Sequence, residues 1–125
     1  MNKRQPVYAP AYDGVFDKIE RADLNELHFR HDKASGLRAI IAIHNTRLGP
    51  ALGGCRFMSY SSDDDALDDV IRLARGMSYK AAIANVPQGG GKAVLLKPME
   101  PFDRQELFQA FGGFIEDLGG RYITA

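Results

Sequence analysis

The chain has 125 residues, of which 45% are hydrophobic and 26% are charged, and this composition is typical of one globular domain large enough to bury a core. Sixteen basic residues balance sixteen acidic residues to a formal net charge of zero, so we expect neither nucleic acid nor a membrane surface as a partner. The single cysteine, Cys55, excludes an internal disulfide, and three scattered histidines lack the spacing of a zinc site.

The amino-terminal segment, residues 1–12, contains two prolines and no clear periodicity, so it predicts an irregular arm. It has no apolar stretch of signal-peptide length, and no run in the sequence approaches the roughly 18 apolar residues of a membrane span. We therefore expect a cytoplasmic protein. A short helix is predicted from Val15 to about Ala22, with Val15, Phe16 and Ile19 on one face.

The next segment predicts a β-hairpin and a third strand. From Asn25 apolar and polar residues alternate, residues 32–36 form a turn, and residues 37–44 supply a second strand that is too rich in isoleucine to be half exposed. Residues 45–54 contain three glycines and a proline, so they predict a loop, and residues 55–58 predict the third strand.

Two features of that loop and strand have open interpretations. On position alone, Gly53 and Gly54 more often indicate a tight turn than a contact with a ligand. Arg56 is either a clamp for a substrate carboxylate or one half of a structural ion pair, since arginine serves both purposes well.

A long helix is predicted to follow Ser62, because Ser62 and Asp65 resemble a capping box and three aspartates favour a helix amino terminus. Residues that recur at spacings of three and four form one stripe toward the sheet. They are Leu67, Val70, Ile71, Ala74, Met77, Ser78 and Ala81. Gly76 disfavours this helix by up to about 1 kcal/mol relative to alanine, which indicates close packing or room for a ligand.

The stretch from Arg75 to Leu96 predicts a candidate site. It predicts the end of the long helix, a turn that contains the triple glycine 89–91, and a buried strand at residues 93–96. Glycine permits positive φ and the close approach of a ligand. Lys80 and Lys92 lie at the two ends of this turn. A lysine at the mouth of a dry region can act as a general base, as we expect for Lys92, whereas the better solvated Lys80 can bind a carboxylate.

Other interpretations of the GGGK run must be weighed against this one. A surface turn with a solvated lysine is the simplest alternative, and the residues alone leave it open. A phosphate-binding P-loop is excluded, since it needs glycine in place of Val86 and a hydroxyl in place of Ala93. The dinucleotide-binding fingerprint also fails, because Val94 occupies its third glycine position.

The carboxy-terminal part predicts one more helix and strand. Asp103 and Glu106 mark the start of a helix with an aromatic stripe, Gly119 and Gly120 end it, and residues 122–124 begin a strand. The strand, helix and strand form a parallel crossover. We therefore predict a three-layer α/β/α domain with a mixed, mostly parallel sheet.

Four motifs occur in order along the chain: LGPALGGCR at 48–56, RGMSYKAA at 75–82, GGGKAV at 89–94 and GRYITA at 120–125. Together they resemble the amino-terminal domain of the leucine, phenylalanine and valine dehydrogenases, which belong to the glutamate dehydrogenase superfamily. The resemblance extends from about residue 24 to the end of the sequence. Four ordered motifs with matching spacing are far more specific than any one of them.

This resemblance implies roles for individual residues. Lys80 matches the lysine that holds the substrate α-carboxylate. Lys92 matches the catalytic lysine, a general base that activates water for attack on the iminium formed after hydride transfer. Gly53, Gly54 and Met77 match residues that line the substrate site, and Leu52 and Ala125 match residues that face the substrate side chain. Glutamate dehydrogenases have a lysine near the Leu52 position, so an apolar Leu52 favours an aliphatic or aromatic L-amino acid.

The family continues past the final TA with an acidic residue, an aspartate that assists the catalytic lysine, and an NAD-binding Rossmann domain. We therefore expect residues 1–125 to be the substrate-binding and oligomerisation domain of a homo-oligomeric, NAD-dependent enzyme that deaminates an apolar L-amino acid to its 2-oxo acid and ammonia. This fragment alone is expected to be inactive, because NAD would be bound mainly by the absent carboxy-terminal domain.

Several alternatives remain open on the sequence. They include leucine, valine or phenylalanine as the substrate and NAD or NADP as the cofactor. A non-catalytic amino-acid-binding or assembly module is the alternative function, and a purely structural domain would keep the two lysines apart.

Overall fold

The computed structural model describes residues 14–124, which form three helices and six strands. The helices are α1 (Val15–Ala22), α2 (Asp63–Ile83) and α3 (Arg104–Glu116). The strands are β1 (Glu26–Asp32), β2 (Leu37–Ile43), β3 (Ala51–Gly53), β4 (Cys55–Met58), β5 (Gly89–Leu96) and β6 (Tyr122–Thr124). The predicted arm at residues 1–12 and the predicted site residue Ala125 lie outside the described residues.

The ends of the two longer helices form as their sequences predict. The side chain of Ser62 accepts a hydrogen bond from the Asp65 amide at 3.0 Å, and that of Asp103 accepts one from the Glu106 amide at 3.1 Å. These bonds satisfy amide groups that have no partner within the helix. After α3, Gly119 and Gly120 adopt positive φ and turn the chain toward β6.

The predicted bounds of α1 are confirmed, and its buried residues are Lys18 and Ala22. Val15 and Phe16 are exposed, whereas Ile19 is half-buried and Lys18 and Ala22 are buried. The ammonium of Lys18 donates a hydrogen bond to Asp68 on α2 at 2.6 Å. Of the three apolar residues predicted to share a face, Ile19 packs against the apolar cluster next to α2, whereas Val15 and Phe16 stay at the surface.

β5 is the central strand of the sheet, whose order is β1-β2-β5-β3-β6. β2 pairs with one edge of β5 in the antiparallel direction, and β3 and β4 share the other edge in the parallel direction. The predicted hairpin of β1 and β2 is confirmed. β6 is parallel to β3, so it runs in the same direction as β5, as predicted, although β3 lies between them.

Two loop predictions are wrong. Residues 51–53, inside the predicted loop 45–54, form β3, and the triple glycine 89–91 forms the first part of β5 instead of a turn. None of the three glycines adopts positive φ. Glycine is depleted in strands for lack of a side chain to pack, so these strands depend on pairing with neighbours distant in sequence.

Helices cover both faces of the sheet and bury two separate clusters of apolar side chains. Successive residues of β5 alternate between the two clusters: Ala93 and Leu95 pack on the side of α3, and Val94 and Leu96 pack on the side of α1 and α2. The predicted three-layer α/β/α architecture with a mixed sheet is thus confirmed. Within residues 14–124, no helix combines the length and the apolar character that a membrane span requires.

Candidate active site

Lys92 is the fourth of the eight residues of β5 and pairs with Ala42 on β2. Because side chains alternate along a strand, Lys92 lies on the same face as Val94, which is the face covered by α2. Its side chain is partly exposed, between the buried Gly91 and Ala93. The catalytic lysine implied by the sequence therefore lies in the middle of the sheet, not at the end of a turn.

Met77 and Lys80 lie on one flank of α2. Arg72, Arg75 and Tyr79 line a groove of about 510 Å³ between α2 and α1. With about 100° of rotation per residue, Met77 and Lys80 project from the opposite flank of the helix. α1 packs over the β1–β2 half of the sheet, so this flank borders the β3–β6 half.

Neither lysine is neutralised by a neighbour. Lys80 is exposed and Lys92 is partly exposed. Within residues 14–124, the side chain of neither lysine has a hydrogen-bond or ion-pair partner. Both cations are therefore available to an anionic ligand. Four grooves along α1, β1, β2 and their loops are lined by other residues.

Leu52 supplies the apolar part of this surface. It pairs with Gly90 on β5 and with Ile123 on β6. Ala51 belongs to the cluster under α3, so Leu52 and Ile123 lie on the opposite face, which they share with Lys92. Leu52 is half-buried and Ile123 is 42% exposed. The structure thus brings Leu52 to the sheet face of Lys92, and Ile123 is a member of this surface that the sequence did not reveal.

The glycines of the site allow close approach between backbones. A Cβ atom at Gly90 would overlap the Ser78 amide nitrogen and the Ala74 carbonyl oxygen of α2, and one at Gly53 would overlap the carbonyl oxygen of Gly91. A Cβ at Gly91 would lie 2.9 Å from the ring of Tyr122. These positions need glycine because α2, β3 and β6 approach β5 so closely, and not because of positive φ.

Gly53 and Gly54 are held by two further elements. The Ala93 amide of β5 donates to the Gly54 carbonyl at 3.1 Å. The buried hydroxyl of Tyr122 lies 2.8 Å from the carbonyl oxygen of Gly53 and 3.0 Å from that of Gly54. Burial raises the pKa of Tyr122 to about 12, so the hydroxyl keeps its proton to donate at neutral pH. Gly53 therefore ends β3, Gly54 connects it to β4, and both are held against β5 next to Lys92.

Arg56 forms a structural ion pair. Its guanidinium donates to Asp69 on α2 at 3.0 Å, and the hydroxyl of Tyr60 donates to the same carboxylate oxygen at 2.6 Å. Arg72 donates to the other oxygen at 2.7 Å. Burial opposes the charge of Asp69, but the hydrogen bonds from Tyr60 and Arg72 and the charge of Arg56 outweigh it and lower the pKa of Asp69. This arrangement ties β4 to α2.

Ser78 and His44 form a polar contact that sequence reasoning missed. Ser78 counted only as a small residue in the apolar stripe of α2, yet its hydroxyl lies 2.8 Å from His44 Nδ1 and 2.9 Å from the Gly90 amide. A hydroxyl in an otherwise apolar helix stripe is the one sequence signal that could have indicated such a contact.

The family comparison decides the identity of this domain. Residues 23–125 match the family described as "Glu/Leu/Phe/Val dehydrogenase, dimerisation domain". The chain belongs to this family.

The relatives of this family member include enzymes for several amino acids. It is 53% identical over 110 residues to phenylalanine dehydrogenase of Bacillus thermotolerans, covering 88% of this chain and 28% of that protein. It is 51% identical over 111 residues to leucine dehydrogenase of Geobacillus stearothermophilus, covering 89% of this chain and 30% of that protein. The crystal structure of L-tryptophan dehydrogenase from Nostoc punctiforme matches with a TM-score of 0.83 and 43% identity over 89% of this chain and 32% of that one. The chain therefore spans about a third or less of the length of these relatives.

Proposed function

We propose that this chain is the substrate-binding and oligomerisation domain of an amino acid dehydrogenase that oxidatively deaminates an apolar L-amino acid with NAD as the hydride acceptor. The observation that carries the proposal is the position of Lys92, at the centre of β5 on the sheet face that also presents Leu52 and borders the Lys80 flank of α2. Family membership supports the same reaction class.

The surroundings of the two lysines suit them to different roles. Lys80 is exposed and lacks an acidic partner within residues 14–124, so it is suited to bind the α-carboxylate as a solvated cation. Lys92 lies deeper, between buried neighbours, which suits a group that accepts and returns a proton next to the substrate. Gly53, Gly54 and Met77 complete the proposed substrate contacts, and Ala125 is proposed to join them.

The surface beside the lysines favours an apolar substrate. Leu52 and Ile123 offer hydrocarbon where a second carboxylate would need a cation. Burial of an unpaired carboxylate is costly, so glutamate is disfavoured relative to an aliphatic or aromatic amino acid. Leucine, valine and phenylalanine all meet this condition.

The described residues do not fit a dinucleotide. A fingerprint for NAD places its glycines at the turn between a strand and a helix, whereas Gly89, Gly90 and Gly91 lie inside β5, and Val94 takes the third glycine position. We therefore assign NAD to a part of the protein outside this chain. The description of the family as a dimerisation domain supports self-association of the complete protein.

Substitution of Lys92 in the complete dehydrogenase tests the proposal. Lys92→Ala should lower kcat by about 10²-fold to 10⁴-fold, the range that a general base contributes, and should leave NAD affinity unchanged in a fluorescence titration. Lys97→Ala is the matched control, since Lys97 is an exposed lysine that directly follows the same strand. Turnover of the Lys92→Ala enzyme at the rate of the control would refute the role. Assays with leucine, valine, phenylalanine and glutamate would identify the substrate.

A further inference from the structure

The structure joins the element that carries Lys80 to the strand that carries Lys92 through one side chain, Ser78. Its hydroxyl oxygen lies 2.9 Å from the amide nitrogen of Gly90, two residues before Lys92 on β5. Ser78 itself lies two residues before Lys80 on α2. Within residues 14–124, Ser78 is the one residue whose side chain forms a hydrogen bond with the backbone of the glycine run 89–91.

The directions of the hydrogen bonds follow from the partners of His44. Its Nε2 lies 3.2 Å from the carbonyl oxygen of Ala22, which can only accept, so Nε2 carries a proton and donates. In the neutral ring Nδ1 is then an acceptor, and the Ser78 hydroxyl at 2.8 Å donates to it. The amide group of Asn45, 3.3 Å from Nδ1, also approaches as a donor.

The Ser78 hydroxyl therefore donates its proton to His44 Nδ1 and accepts a hydrogen bond from the Gly90 amide with its oxygen. The backbone of Gly90 is held from both sides, because its carbonyl accepts from the His44 amide at 2.9 Å. A side chain at Gly90 would overlap α2, so helix and strand meet here without any intervening group. The contact fixes both the distance and the register between α2 and β5.

The geometry points to Ser78, oriented by His44, as a positioning residue that sets Lys80 and Lys92 at the spacing required by one amino acid substrate. This inference rests on the proposed function. Neither Ser78 nor His44 needs to touch the substrate. Loss of the hydroxyl leaves the Gly90 amide and His44 Nδ1 without this partner, so α2 can shift along β5 while the apolar cluster still holds the fold.

Kinetics of the complete dehydrogenase test the positioning role. Ser78→Ala should lower kcat/KM about 10-fold to 100-fold, because misplacement of a catalytic group by about 1 Å has effects of that size, and Ser78→Thr, which keeps the hydroxyl, should restore most of the activity. Phe114→Leu is the control for simple destabilisation, since Phe114 lies in the cluster on the other face of the sheet. Unchanged kcat and KM in Ser78→Ala, or an equal loss in Phe114→Leu, would overturn the inference.

A readout independent of activity separates this inference from the proposed function. In the 125-residue chain, nitrogen NMR shifts of His44 should show a protonated Nε2 and an unprotonated Nδ1, and Ser78→Ala should speed deuterium exchange of the Gly90 amide more than Ser78→Thr does. If these shifts and rates are as expected but Lys92→Ala retains full turnover, the proposed function fails while the contact stands. A protonated Nδ1 in the wild-type chain at neutral pH would overturn the hydrogen-bond assignment.

Discussion

Tyr122 shows how one buried side chain supports Gly53 and Gly54. Its ring packs in the cluster under α3 and is 1% exposed, while its hydroxyl reaches the carbonyl groups of Gly53 and Gly54. A neutral hydroxyl donates to these carbonyls, whereas a phenolate would repel them. The protonation state of Tyr122 is therefore linked to the stability of the β3–β6 pair.

This linkage predicts that the domain loses stability at alkaline pH. The pKa of Tyr122 is about 12 in the folded state and about 10 when exposed, so the unfolded chain releases its proton first. The contribution of the neutral tyrosine to the free energy of unfolding is complete below pH 10 and is lost as the pH rises toward 12. The loss is about 2 to 3 kcal/mol, because the two pKa values differ by about two. Urea unfolding at a series of pH values would measure it.

Matched variants isolate the contribution of this tyrosine to the pH profile. Tyr122→Phe should flatten the alkaline decline in the free energy of unfolding, although it lowers stability at neutral pH through the lost hydrogen bond. Tyr79→Phe is the control, because Tyr79 is 54% exposed. An equally steep decline in Tyr122→Phe and in the wild type would contradict the assignment to Tyr122.

At the scale of single elements, two glycines predict opposite effects of the same substitution. Gly76 lies inside α2, and a Cβ there would meet no atom within 4 Å, so Gly76→Ala should stabilise the domain by up to about 1 kcal/mol. Gly90→Ala should destabilise it strongly, because the methyl group would overlap the backbone of α2. Thermal unfolding of both variants would measure whether each substitution raises or lowers the stability of the domain. A stable Gly90→Ala domain would contradict the close contact between α2 and β5.

The accuracy of the sequence predictions follows the range of the interactions. The three helices and the hairpin were predictable because apolar periodicity and capping residues are local signals. β3 and the start of β5 were not, since glycine usually marks turns and these strands depend on partners far away in the chain. The need for glycine at residue 76 is likewise unexplained by packing, because the space around its Cβ is empty.

The candidate site shows the same division. Lys80, Lys92 and Leu52 were predicted from motifs in the sequence; Lys92 and Leu52 lie on one face of the sheet, and Lys80 lies on α2, the helix that packs on that face. Ile123 and the pair of Ser78 and His44 were not found, since their neighbours become visible only when β6, β2 and α2 are assembled. The burial of Lys18 was equally hidden, because its partner Asp68 is 50 residues away.

For the whole molecule, the uneven covering of the sheet is the main functional feature. α3 covers one face, and α1 and α2 cover the β1–β2–β5 part of the other, but Ile123 on β6 stays 42% exposed on the face that carries Lys92. An exposed apolar surface of this kind is a common feature of binding sites.

We therefore predict that the 125-residue chain alone folds but does not turn over amino acids. The described residues provide the proposed substrate groups without a dinucleotide-binding turn. A spectrophotometric assay for NADH with leucine, valine or phenylalanine should give no rate above background for this chain and a clear rate for the complete dehydrogenase. Measurable NADH production by the 125-residue chain would contradict the assignment of NAD to another part of the protein.

The central position of β5 in the sheet also limits the local motion of the backbone at Lys92. Edge strands such as β1 and β6 can fray individually, whereas β5 is flanked by β2 on one side and by β3 and β4 on the other. Separation of β5 from its neighbours requires the sheet itself to open, which is an event with nearly the full free energy of unfolding. Lys92 is thus anchored on a strand that resists local opening, whereas Lys80 lies on an exposed flank of α2.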